Sequence, residues 1–276
     1  MTGTRFSIAG PLMLAGCALA KKRVRITRHD ALRILGIAVL LLTTGNMLLS
    51  WTEQYLPSGL ASLFVAIVPI YIAVIEGLVL KGERLRSRGW FGLAFGILGL
   101  VLLLWPKLRG TLEGASTLAR TQLIACVVVL LGSLSWACGS ILSRRSQLSV
   151  DPFAATGWEM TFAGVINLSL GALLGDFHRV VWARSGLLAI GYLIVFGSWV
   201  GFTAYIWLLD HVPAPKVATY AYVNPVVAVI LGFFIAGETL DRYSFAGMIA
   251  IVVAVAVITS SQMVRVEAAA PSGAEA

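Results

Sequence analysis

Charge is scarce in this sequence: only 12% of its 276 residues are Asp, Glu, Lys or Arg, against about 25% in ordinary soluble domains. So small a supply argues against a water-soluble protein. Histidine is rarer still, and His29, His178 and His211 all fall in connectors between apolar runs. None has metal-ligand spacing, and none lies where it could activate Ser133, Ser140 or Ser198 as a nucleophile. Enzyme chemistry of those kinds is therefore set aside, and no cofactor is expected. Cys17, Cys126 and Cys138 each stand inside an apolar run, where a free thiol behaves as a small hydrophobe and implies no disulfide or metal site. A phosphate-binding loop with its lysine is missing too, so any active transport would draw on an ion or solute gradient.

What the sequence has is apolar length. Hydrophobic residues make up 58% of it, gathered into runs near the roughly 20 residues that cross a bilayer as a helix. Nine spans are predicted: Phe6 to Ala20, Ile34 to Trp51, Gly59 to Leu80, Gly89 to Trp105, Gln122 to Ser143, Phe153 to Leu174, Gly186 to Leu209, Val217 to Gly237 and Tyr243 to Val264. Most are apolar all round, as suits helices shared between lipid and neighbours, and they lack the alternation of barrel strands. The expected fold is an all-α polytopic membrane helix bundle in the lipid bilayer, with no room for a folded soluble domain. The first run also reads as a secretory signal, with Arg5, Ala18, Ala20 and a lipoprotein-like Leu14-Ala15-Gly16-Cys17, but eight further spans weigh against cleavage.

A net charge of +8 could suggest nucleic acid, yet the basic residues sit between the spans. If connectors alternate sides, one side holds fourteen of them: Lys21, Lys22, Arg23, Arg25, Arg28, Arg33, Lys81, Arg84, Arg86, Arg88, Arg144, Arg145, Lys216 and Arg265. The other holds seven: Arg5, Lys107, Arg109, Arg120, Arg179, Arg184 and Arg242. The positive-inside rule puts the fourteen, and the C-terminus, in the cytoplasm. The basic excess is thus a topology signal, and no nucleic-acid partner is expected. Trp51, Tyr55, Trp90, Trp105, Trp182 and Trp207 lie at or near span ends, as interfacial anchors do.

The chain repeats itself. An offset of 156 places Phe6 on Phe162, Gly45 on Gly201, Trp51 on Trp207, Pro57 on Pro213 and Pro69 on Pro225. An offset of 155 then places Gly82-Glu83 on Gly237-Glu238, Leu85 on Leu240 and Gly92 on Gly247. Spans one to four match spans six to nine, while the fifth opens the second copy and would need a counterpart upstream of Met1. A complete copy has five spans, an odd number, so the second copy enters the bilayer from the opposite face. That is the inverted repeat of secondary transporters.

The paired Gly-Glu ends of spans three and eight, the stretch Leu56 to Ser62, and Tyr220-Ala-Tyr-Val-Asn-Pro225 resemble EamA-type permeases of the drug/metabolite transporter superfamily. Resemblance covers Arg5 to about Val264. It implies ten helices in two inverted five-helix halves around a central cavity, and export of amino acids, metabolites or drugs across the bacterial inner membrane. The first helix, which in the family usually carries an aromatic-Gly-Ser motif, is not found; its second-half counterpart lies around Ser133, Trp136, Gly139 and Ser140. The expected organisation is a first repeat over residues 1–110 with nine of ten spans present overall, a second over 111–264, and a disordered cytoplasmic tail over 265–276.

The spans as drawn contain no Lys or Arg and two carboxylates, Glu76 and Glu159. Glu76, four residues from a span end, can snorkel to water or meet Lys81. Glu159 lies about 9 Å deep at 1.5 Å per residue and is either a buried hydrogen-bond partner or a contact for a proton or cationic solute. Pro69 and Pro225 hold equivalent mid-span positions and free the carbonyls of Val65 and Ala221, either as packing kinks or as breaks facing a wet cavity. Tyr220, Tyr222 and Asn224 stand where the first copy has Phe64, Ala66 and Val68, and Asn46 stands where the second has Phe202. These polar residues exceed what symmetry and packing require. Asn46, Pro69, Trp136, Glu159, Tyr205, Tyr220, Tyr222, Asn224 and Pro225 are therefore candidates to line a substrate cavity; core packing or interhelical hydrogen bonding is the alternative for each. Gly92, Gly96 and Gly99 suit close helix packing, and the Gly-Glu pairs suit helix ends. The chain is expected to be a secondary exporter of a small-molecule solute working by alternating access, with a proton gradient as a candidate driving force. The alternative is a non-transporting scaffold or remnant. A channel fits the inverted repeat less well.

Overall fold

The computed structural model describes residues 2–56, 58–80, 83–113, 119–175, 183–236, 242–261 and 263–265. Helices account for nearly all of these. They are α1 (Thr2–Leu19), α2 (Arg28–Thr52), α3 (Ser58–Val65), α4 (Val68–Val74), α5 (Ser87–Glu113), α6 (Ala119–Arg145), α7 (Pro152–Leu173), α8 (Arg184–His211), α9 (Ala214–Val217), α10 (Tyr220–Ala236) and α11 (Arg242–Ser260). Strands β1 (Glu83–Leu85) and β2 (Met263–Arg265) form a short antiparallel pair with Glu83 opposite Arg265. Among the described residues three helical stretches are long and apolar enough to cross a membrane: Arg28–Thr52, Ile124–Arg145 and Arg184–His211. The bundle turns large apolar side chains outward, Leu12, Phe91, Leu188, Phe196 and Val252 among them, while Asp30, Glu159 and Ser198 are buried. That distribution suits lipid and opposes water. The chain is an all-α membrane helix bundle.

Local chemistry starts several of these helices. Thr27 caps α2, its hydroxyl accepting from the Asp30 N–H at 3.1 Å, and Asp151 caps α7 by accepting from the Phe153 N–H at 3.0 Å, with Pro152 in the first turn. Both capping residues supply an acceptor to a donor that the helix start leaves open. The two caps meet one another's neighbourhood: Asp30 accepts from Ser149 Oγ at 2.5 Å, Lys22 reaches Asp151 at 3.2 Å, and the Trp158 indole donates to the Val24 carbonyl at 2.9 Å. The α1–α2 and α6–α7 connectors therefore share one face of the bundle.

Two helix crossings fix the relation between the halves. A Cβ on Gly10 would lie 2.5 Å from the Thr161 backbone nitrogen, and one on Gly164 would lie 2.5 Å from that of Ser7. Gly3 meets Leu168 and Gly157 meets Leu14 in the same antiparallel sense, so α1 and α7 touch backbone to backbone. On the other side Gly92 meets Ile258, Gly99 meets Ala250 and Ile251, and Gly247 meets Leu103, bringing α5 and α11 together likewise. In each crossing the partners are repeat counterparts. Counterpart helices that run antiparallel are related by a twofold axis across them, so the halves are inverted. Ser7 faces Gly164, one place from its own counterpart Ala163, which marks where the axis passes. In transporters built from inverted repeats such an axis lies in the membrane plane.

Several boundaries differ from the sequence reading. The first span begins at Thr2, not Phe6, so Arg5 lies inside a helix and not in an outer connector. Its Cα stands two to three residues along α1 from where that axis passes, about 4 Å at 1.5 Å per residue. The reason is packing: Gly3 lets α1 run on against Leu168 past the charge at which the apolar run appeared to start. The ninth span ends at Ser260, with Ser261 Oγ donating to the Ile258 carbonyl at 2.8 Å, and Met263–Arg265 leaves the helix to pair with β1. Span three breaks after Val65 and resumes with Pro69 in the first turn of α4, where the missing N–H costs no bond. Span eight breaks at Ala218 and Thr219, the Thr219 hydroxyl donating to the Lys216 carbonyl at 2.7 Å, and Pro225 stays inside α10. Lys81, Gly82, Gly237-Glu238 and the tail from residue 266 lie outside the described residues.

Both halves also carry a feature that no spacing announces. α2 widens to a π-helix over Val39–Gly45 and α8 does so over Leu193–Phe202. Offset by 156, the first segment falls on residues 195–201, inside the second. Wide turns of this kind free backbone groups and gather at functional sites.

Candidate functional site

The widened turns face a cavity of about 380 Å³ between the halves. α1 contributes Arg5, α2 Leu42 and Asn46, α6 Trp136, α8 Gly197, Gly201, Phe202 and Tyr205, α9 Val217 and α10 Tyr220. The volume lies within the range of small-molecule sites, about 300–1,000 Å³.

Three aromatic side chains form its wall. The Trp136 indole N–H donates to the Tyr205 hydroxyl at 3.0 Å, and that hydroxyl shares a 2.6 Å bond with Ser140 Oγ. Tyr205 and Trp136 rings are tilted with centroids 5.6 Å apart, and Tyr220 meets Tyr205 edge-on at 5.3 Å. Hydrogen bonding and ring contact together hold the aromatics in one arrangement, so the wall is pre-organised. Gly45 and Gly132 permit this approach: a Cβ on Gly45 would come 3.1 Å from the Trp136 ring, and Gly132 stands against Leu48.

Arg5 is the one cation among the cavity's lining residues. Its Nε donates to Ser198 Oγ at 2.8 Å, and its guanidinium lies 4.6 Å from the Phe6 ring centroid. A charge inside a membrane helix bundle is costly, and one neutral hydroxyl plus one ring offsets only part of that cost. Sequence reading missed Arg5 because it took the charge as the end of the span.

The nine candidates separate in space. Asn46, Trp136, Tyr205 and Tyr220 border the central cavity. Glu159 borders a second cavity of about 200 Å³ with Ser143, Ser146 and Asp210, towards the shared connector face. It is 1% exposed, and its Oε2 has no hydrogen-bond partner. Tyr222 is buried between α5 and α10, its hydroxyl donating to the Leu93 carbonyl at 3.4 Å and its ring filling the space over Gly96. Pro69 and Pro225 are buried in their helices, and Asn224 is exposed on α10. Glu76 is buried in a widened turn at Ile75–Val79.

Two inverted halves with a solute-sized cavity between them have the architecture of a membrane transporter. The chain matches the EamA-like transporter family over residues 1–105 and 123–260. It is 36% identical over 260 residues, 94% of its length and 80% of the relative's, to the uncharacterized inner membrane transporter YedA of Escherichia coli K12. The uncharacterized transporter YvbV of Bacillus subtilis is 23% identical over 78% of this chain and 68% of its own. Among solved structures, one titled "Crystal structure of protein" superposes with a TM-score of 0.73 at 19% identity, covering 94% of this chain and 86% of that one. This protein belongs to the EamA-like transporter family.

Proposed function

We propose that the protein is a secondary transporter of the inner membrane that exports amino acids, small metabolites or drugs by alternating access through the central cavity. The observation that carries this reading is the cavity itself: residues of both halves line it, and the repeat-related widened turns of α2 and α8 face it. Helix segments with loosened backbone on either side of a site can close it alternately towards each face. Asn46, Trp136, Tyr205 and Tyr220 form its solute-facing wall in this proposal, with Tyr222, Asn224, Pro69 and Pro225 shaping the helices that move. Glu159, in its separate cavity, is the proposed proton carrier if a proton gradient drives the cycle. The repeats divide at residues 1–110 and 111–264, and the C-terminus is cytoplasmic.

Flux across liposomes tests this directly. Protein reconstituted in one orientation should release preloaded solutes faster than empty liposomes, and an imposed gradient should change the rate. If no amino acid, metabolite or drug moves under any gradient, the transport proposal fails.

A further inference from the structure

Resting on the transporter reading above, we infer that the solute of the central cavity is an organic monoanion, its carboxylate or similar oxyanion paired with Arg5 and its apolar, ring-sized body held by Trp136, Tyr205 and Tyr220. A guanidinium has five N–H donors. The structure commits one of Arg5's, through Nε, to a neutral hydroxyl on Ser198. Among the described residues no carboxylate pairs with Arg5: the cavity lining contains neither Asp nor Glu, and Glu159 and Asp210 line the other cavity. The Nη groups lie against α8 at Gly197, where a Cβ would stand in ordinary contact with Nη2 at 3.4 Å. A half-buried cation inside a membrane bundle, with no counter-ion among the described residues, supplies the charge that an anionic solute needs when it leaves water. Arginine's planar fork suits a carboxylate better than a point charge would.

The rest of the wall sets the body of that solute. Leu42, Phe202, Val217 and the three aromatic rings leave Asn46 as the side-chain amide of the lining. A second charge of either sign on the solute would find no partner of opposite sign here beyond Arg5, so the preference is for one negative charge. A cationic amine would meet Arg5 as a like charge, and a neutral amide would forgo the charge-assisted pair.

Three probes of one shape test the assignment: 3-phenylpropionate, 3-phenylpropionamide and 3-phenylpropylamine, radiolabelled and bound to the full chain in detergent micelles. The propionate should bind about ten- to hundred-fold tighter than the amide, the span expected for one charged hydrogen-bonded pair, and the amine should bind no better than the amide. Arg5→Gln should bring the propionate to the amide's level, and Arg5→Lys should restore part of the difference. Equal or tighter binding of amide or amine by the unaltered protein overturns the inference without reference to any variant. So does an Arg5→Gln protein that keeps its thermal unfolding profile and its preference for the anion, and so does failure of all three probes to bind. Because binding in micelles needs no translocation, propionate binding without liposome flux would leave the anion site standing and remove the transport reading alone.

Discussion

Gly10→Ala tests the α1–α7 crossing, from which the inversion of the halves follows. The added Cβ would lie 2.5 Å from both the backbone nitrogen and Oγ1 of Thr161, and 2.8 Å from the Gly157 carbonyl. Thr161 Oγ1 already donates to that carbonyl at 2.7 Å, and two of the three atoms are backbone, so no side chain can swing clear. Reaching an ordinary contact near 3.4 Å requires the helices to part by about 1 Å, and a gap of that size forfeits a quarter to a half of each dispersion well along the crossing. Overpacking of this kind costs about 1–3 kcal/mol, less the roughly 0.5–1 kcal/mol that Ala gains over Gly in a helix. A net loss of about 1–2 kcal/mol is expected. Gly16→Ala is the internal control, since nothing lies within 4 Å of its Cβ position on the same helix, and it should be neutral or slightly stabilising. Unfolding by SDS titration in mixed micelles, followed by circular dichroism, measures both. Equal stability of the two variants would refute the close crossing, and with it the argument for inverted halves.

Removing the Tyr205 hydroxyl by Tyr205→Phe takes the acceptor from the Trp136 indole N–H and a partner from Ser140; about 1–3 kcal/mol of stability should be lost, and Trp136 emission should shift, neither of which would happen if the aromatic wall were held by packing alone. Asp30→Ala removes the acceptor for Ser149 and for the Thr27 hydroxyl at 2.9 Å, with an expected loss of similar size; a double-mutant cycle with Ser149→Ala should show the two losses to be non-additive, and full additivity would count against the connector tie. Glu159→Gln keeps shape and removes the ionisable proton. If Glu159 carries the proton in transport, the variant's flux should lose its dependence on a pH gradient, and an unchanged rate and pH profile would eliminate that role.

Apolar run length, scarcity of charge and the 156-residue offset were enough to read off a helical membrane bundle with repeated halves, because bilayer thickness imposes span length directly on sequence. Polar asymmetry between the copies also brought Asn46 and Tyr220 into consideration, and the family resemblance pointed to the segment around Trp136; these three border one cavity together with Tyr205. The position of Arg5 was not legible in the same way. Whether a charge ends a span or sits inside one depends on what its helix packs against, and only the contact of Gly3 with Leu168 decides that α1 continues past it. Separation of Glu159 from the central cavity is likewise a property of helix rotation, which shifts by 100° per residue in a way that an isolated buried carboxylate does not reveal. The sequence by itself determined the medium, the number of rods and their duplication, since each follows from the free energy of moving side chains between water and lipid. Only the tertiary structure decided which residues face one another, because lipid-facing and neighbour-facing positions are equally apolar in such a chain, and backbone contact at a few glycines selects between them.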